Sequence, residues 1–182
     1  LTVVAGLNIS NAICNLLNVV FVAMGNAVGI LTGQMLGARK YEEAKKGSVH
    51  LMWFTGILCS GLTVILLIAS RYFPLLYDTS TEVRSYGTYF IIITALFFPV
   101  QGFLNALYFT LRSGGKTIIT FFFDSGFTWV VSVSLATILC EYTGLSIFMI
   151  YAFVQAADLI KVLVGYVLIK KGVWVTNLVD AI

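Results

Sequence analysis

The chain has 182 residues, 59% of them hydrophobic and only 10% charged, with a mean hydropathy of +0.97 and a formal net charge of +3. A soluble domain carries about 25% charged residues, so too few charged groups are present to cover a globule in water, and lipid must be its outer solvent. The single histidine and the three cysteines, Cys14, Cys59 and Cys140, have neither metal-ligand nor disulfide spacing, and the cysteines read as small packing residues.

Backbone groups that face lipid must be hydrogen-bonded within their own segment. The apolar runs here are continuous and lack the period-two alternation of a barrel, so the predicted fold is all-α, a polytopic bundle of membrane helices. A span needs about 20 apolar residues, and five segments qualify: 1–36, 48–70, 85–111, 117–140 and 144–169. The chain opens inside an apolar run without a charged leader, which reads as a piece of a longer polypeptide rather than a signal peptide.

The first span is longer than a bilayer requires and is expected to tilt, bend or extend into the interface. It carries Asn8, Asn11, Asn15, Asn18 and Asn26, which fall within an arc of roughly 80° at 100° per residue. Five amides on one stripe are costly against hydrocarbon. They are either interhelical glue or the wall of an aqueous or ligand cavity, and their shared register favours the cavity. The stripe continues as Gly25, Gly29, Gly33 and Gly37, a G-x-x-x-G ladder that predicts a close helix–helix contact. This Asn and Gly face calls for a partner that the five spans do not supply.

The second span, with His50 near one end, carries little chemistry, and His50 reads as interfacial. The third holds Pro99, which frees the carbonyl of Ala95 and disfavours a straight helix; the bend is either a structural kink or a place where backbone is offered to a substrate or ion. Below it, Gln101, Asn105, Tyr108 and Arg112 form a second polar stripe at spacings 4, 3 and 4. The sequence Ser113-Gly114-Gly115-Lys116-Thr117 lacks the first glycine of a phosphate-binding loop and reads as a tight turn.

The fourth and fifth spans hold the ionisable groups. A charge near the bilayer centre costs at least about 2.5–3.5 kcal/mol, so it survives when paired or useful. Asp158 and Lys161, three apart on the fifth span beside Tyr151, Gln155 and Gly165, are expected to neutralise one another. They lock that helix or act as a coupling device. Asp124 has no sequence-local partner. The positive N-terminal end of its own helix favours it if the span starts later; otherwise it needs Lys116, Arg112 or a residue on another span, and it is the stronger candidate for an ion site. Eight basic residues (Arg39, Lys40, Lys45, Lys46, Arg112, Lys116, Lys170, Lys171) lie in alternate loops against two, Arg71 and Arg84, on the other side. By the positive-inside rule the first residue is outside and the C-terminal tail cytoplasmic. The same alternation explains the basic excess without a nucleic-acid partner. There is no catalytic constellation, and an enzyme is not expected.

At Gly33-Gln34-Met35-Leu36-Gly37-Ala38, followed by Glu42, Glu43 and Ala44, the chain resembles the multidrug and toxic compound extrusion (MATE) transporters, which carry a Gly-Gln-x-x-Gly-Ala stretch where a long helix meets a cytoplasmic loop. Leu111-Arg112-Ser113-Gly114-Gly115-Lys116-Thr117 is similar to the family's Leu-Arg-Gly-x-Gly-x-Thr turn, and Lys170-Lys171-Gly172-Val173-Trp174 to its C-terminal close. The resemblance implies a C-terminal lobe without its first helix, facing an N-terminal lobe of the same polypeptide in the plasma (inner) membrane. It also implies exchange of a small cationic organic substrate for Na+ or H+, with no other cofactor. Some members carry a carboxylate near the position of Phe98 and Pro99; this third span holds no acid, so that ion site does not carry over. A flippase for lipid-linked precursors, which needs a strongly basic cavity, and a non-transporting membrane subunit are the alternatives.

Overall fold

A computed structural model describes residues 1–115 and 117–175. Lys116, expected among the cytoplasmic cations and as one candidate partner of Asp124, lies outside the described residues. Every regular element among the described residues is helical, and five helices are long and apolar enough to cross a membrane. These are α1 (Thr2–Gly37), α2 (Tyr41–Tyr72, prolonged by a 3-10 turn at Phe73–Leu76), α3 (Thr81–Ser113), α4 (Ile118–Tyr142) and α5 (Ile147–Lys170).

At 1.5 Å per residue the 36 residues of α1 make a rod of about 54 Å. That exceeds a hydrocarbon core of about 30 Å, so α1 reaches past it. The helix α2 starts at Tyr41, well before the apolar run begins at residue 48. Its added turns are polar: Glu42 and Glu43 sit at the positive end of the helix dipole, and Lys45–Glu42 and Lys40–Glu43 pair at 3.0 Å.

The hub is α3, which packs against α1, α2 and α5. The side chains of Phe90, Ile91, Ala95, Phe98, Leu107 and Leu111 are buried along it. Its start is capped by Ser80, whose hydroxyl accepts from the Val83 amide at 3.4 Å. Pro99 lies inside the helix, and the fate of the Ala95 carbonyl is specific: the Thr63 hydroxyl of α2 donates to it at 3.1 Å. The sequence reading allowed that backbone freed by Pro99 faces a substrate. Instead a neighbouring helix satisfies it, as polar side chains do for broken membrane helices.

The fourth span departs from α-geometry. Its ends, Thr117–Phe121 and Ser134–Tyr142, are α-helical, and between them lie two π-helical stretches, Phe122–Gly126 and Thr128–Val133. This segment is rich in Ser, Thr, Val, Gly and aromatic residues, which hold the α-helix less firmly than Ala or Leu.

Three helices end together at one end of the bundle, each on a residue with left-handed backbone. Arg39 (φ 60) closes α1 with Lys40 N–H donating to Met35 O and Arg39 N–H to Leu36 O, both at 3.0 Å, the pattern of a Schellman motif. Gly115 (φ 73) and Gly172 (φ 68) close α3 and α5 in the same conformation. The segments that carry the family resemblance meet here. Leu36, Ala44, Leu111, Ile169 and Trp174 belong to one buried cluster, and Gly114 lies directly against the backbone of Trp174. The buried Trp174 indole donates to Ile169 O at 3.2 Å.

The predicted glycine ladder is realised only in part. At Gly25 an added Cβ would collide with the Phe109 ring and Asn105 Oδ1, whereas at Gly29 it would make ordinary contact with Phe109. At Gly33 and Gly37 it would meet nothing within 4 Å among the described residues, so within this lobe these two are not packing glycines. Close helix approaches occur instead at Gly6 against Tyr86 and Gly87, at Gly102 against Cys59, and at Gly165 against Phe123 and Leu107. The ladder lies along one helix, while the structure spreads its close contacts over four helix pairs.

Candidate functional site

A cavity of about 500 Å³ opens between α1, α3, α4 and α5. Its wall takes Asn15 and Asn18 from α1, Gln101, Asn105 and Tyr108 from α3, Asp124 from α4, and Gln155 and Lys161 from α5. Parts of two polar stripes, with Asp124 and Lys161, therefore meet around one space, whereas Asp158 does not line it. Asn8, Asn11 and Asn26 do not line it; like Asn15 and Asn18 they are exposed on the lobe. Most buried residues of α1, Gly6, Ile9, Ser10, Ile13, Val28 and Thr32, lie on the other side, while Gly25 and Leu36 are buried nearer the stripe. Arg112, placed with Gln101, Asn105 and Tyr108 by spacing, stands exposed at the end of α3 and outside the cavity. Pro99 faces away, lining an apolar crevice with Trp53, Phe103 and Leu159.

The expected ion pair between Asp158 and Lys161 is not formed. Lys161 Nζ instead meets Asp124 Oδ1 at 2.5 Å, across two helices and 37 residues. Asp158 Oδ2 accepts from Gln101 Nε2 of α3, also at 2.5 Å. The reason is angular. Residues three apart on a helix point in directions about 60° apart, so Asp158 looks towards α3 while Lys161 looks towards α4. Asp124 lies within the first π-helical stretch, whose neighbouring Phe123 fits against Gly165 of α5.

The two partners are not equally buried. The side chain of Lys161 is 10% exposed, that of Asp124 55%. The ammonium lies 5.5 Å from the Phe123 ring centroid and 5.9 Å from that of Phe127. A carboxylate with two aromatic faces is a favourable setting for a cation. Further along α5, Tyr151 OH is shared with Thr94 at 3.0 Å and with Gln155 Nε2 at 3.4 Å. Tyr151, Gln155, Asp158 and Lys161 thus present one polar edge of α5 to α3 and α4. Asn105 adds a buried Oδ1 without a hydrogen-bond partner among the described residues, held in the notch at Gly25.

Several contributors escaped the sequence reading. Thr94, Cys14 and the rings of Phe21, Phe98, Phe109 and Phe123 also line the cavity. An apolar side chain in an apolar run gives no signal of facing a cavity rather than lipid. Thr94 had one available: it lies seven residues before Gln101, two turns up the same face. Of the cysteines, Cys59 packs in the core as expected, Cys14 lines the cavity and Cys140 is exposed.

The sequence profile of the MatE family matches residues 2–138. The Bacillus subtilis (strain 168) protein named "Probable multidrug resistance protein YoeA" is 23% identical over 162 residues, which cover 89% of this chain and 35% of that protein. The chain thus spans about a third of the length of this relative. No solved structure matches the chain.

Proposed function

The chain belongs to the MatE family, and from that premise we propose that it forms one lobe of a multidrug or metabolite efflux antiporter. In this reading a small organic cation enters the cavity and is exchanged for Na+ or H+ as the lobe and a second lobe alternate access across the membrane. One observation carries it: Asp124 opens a half-exposed carboxylate onto a polar cavity, while the lysine that balances it is buried behind. An acid placed so can trade its internal partner for an arriving cation. The exposed asparagine face of α1 supports a second lobe, because five amides on the outside of a membrane helix need protein or water against them.

A lipid-linked precursor flippase fits less well. It requires several cations to hold a pyrophosphate, and Lys161 is the one basic side chain lining the cavity among the described residues, already paired to an acid. A purely structural subunit leaves the cavity without a purpose. Arg39, Lys40, Lys45, Lys46, Arg112, Lys170 and Lys171 sit at one end of the bundle or on the turns there, which supports a cytoplasmic C-terminus. A membrane-impermeant maleimide is then expected to label Cys140, exposed at the far end of α4, from outside intact cells.

The deciding experiment reconstitutes the full-length transporter in proteoliposomes and follows uptake of a fluorescent organic cation under an imposed Na+ or H+ gradient. Gradient-driven uptake abolished by Asp124→Asn supports the antiporter. Uptake under either gradient that is unchanged in both Asp124→Asn and Asp158→Asn sinks the coupling role of these acids.

A further inference from the structure

The cavity already holds a cation, and that cation belongs to the protein. Lys161 Nζ sits on the Asp124 carboxylate between two aromatic rings, the surroundings an organic ammonium would seek. We infer that Lys161 is a tethered competitor: in the empty lobe its ammonium occupies the site at Asp124, and a monovalent organic ammonium binds there by displacing it towards Asp158. The inference deepens the efflux reading and rests on it.

Charge counting supports the exchange. Asp124, Asp158 and Lys161 together carry one more negative than positive charge when all are ionised, so the group has room for one added monovalent cation and not for two. Asp158 is within Lys161's reach on the same helix, one turn earlier. Its Oδ2 accepts from Gln101 Nε2, and a carboxylate has a second oxygen with which to receive the ammonium. Lysine suits the task because its charge rides on a flexible four-carbon stem. The site at Asp124 then opens towards the cavity, where Tyr108 and Phe109 supply further ring surface.

The consequence is a specific sign. Removing the competitor should tighten binding of a cation, and making it a firmer partner should weaken it. Equilibrium binding of ethidium, an aromatic monovalent cation, to the purified full-length transporter reads this directly. Lys161→Met is expected to lower the ethidium Kd by about tenfold or more, the equivalent of roughly 1.4 kcal/mol, and to slow gradient-driven release. Lys161→Arg, whose planar fork grips a carboxylate at two points, is expected to raise the Kd severalfold. Asp124→Asn should lose binding in either background. Because the two lysine variants are predicted to move in opposite directions, a general loss of packing cannot imitate the result. If both weaken binding, or if neither changes it while Asp124→Asn still abolishes it, the competitor role is overturned and the efflux reading stands. If the wild type neither binds ethidium nor moves it under a gradient, both fall together.

Discussion

Helices α3 and α4 invert what their sequences promise. The third span contains the proline and yet runs as one α-helix from Thr81 to Ser113, the most buried of the five membrane-length helices. The fourth has no proline and yet widens into π-helical turns over much of its length, burying little besides Thr120 and Phe123. In a membrane the regularity of a helix depends on whether neighbours supply missing hydrogen bonds and packing, more than on whether a breaker is present. The hub α3 has Thr63 to repair it. The outer helix α4 has few neighbours, and its first wide turn carries Phe123 and Asp124, which meet Gly165 and Lys161 of α5.

The contrast can be broken hardest at the joint between the two helices. An added Cβ at Gly114 would collide with the carbonyl of Trp174, a backbone atom that cannot rotate away. Gly114→Ala must therefore push the C-terminal turn out of its buried cluster. We expect a loss of roughly 3 kcal/mol, at the upper end of overpacking effects. Thermal melting of the detergent-purified protein would show this as the lowest transition of the glycine series. A melt indistinguishable from wild type would mean that the Trp174 closure does not hold α3.

The next effect sharpens the contrast within α3. Thr63→Val keeps the side-chain shape but removes the donor to Ala95 O. Membrane hydrogen bonds average about 0.6 kcal/mol by double-mutant cycles, and an orphaned carbonyl raises the loss to about 1–2 kcal/mol. Pro99→Ala restores a backbone donor, so the double variant is expected to recover most of that loss. Additive losses in such a cycle would show that Thr63 and Pro99 are not coupled.

On the α4 side the matching cycle is Asp124→Asn with Lys161→Met. The pair is half open to the cavity, so a coupling of only about 1 kcal/mol is expected, although either single variant alters transport far more. A large coupling in stability would recast the pair as a structural lock.

The sequence was informative where chemistry is periodic. Hydropathy located all five helices, and the spacing of Gln101, Asn105 and Tyr108 placed three side chains on one wall. What it could not supply was azimuth between helices. The pairing of Lys161 with Asp124 rather than Asp158 depends on how α4 and α5 are rotated against each other, and no local spacing encodes that. The π-helical turns were hidden for the same reason, because composition loosens a helix without saying which way it will unwind. The Gly-Gln-x-x-Gly-Ala, Leu-Arg-Ser-Gly-Gly and Gly-Val-Trp segments were visible as motifs, but their common cluster around Trp174 was not.

The smallest expected effect tests the glycines that looked like packing residues. Gly33 and Gly37 face open space within the lobe, so Gly33→Ala introduces no clash there. Alanine holds a helix better than glycine by about 1 kcal/mol, and the isolated lobe's helix α1 should be unchanged or slightly firmer. The full transporter gives the more telling comparison. If a second lobe closes against this face, as the exposed asparagines also suggest, Gly33→Ala should leave the melting temperature in place and slow turnover. Equal turnover in Gly33→Ala and wild type would free this stretch of α1 from any close contact, and would leave only the asparagine stripe as the mark of the opposing surface.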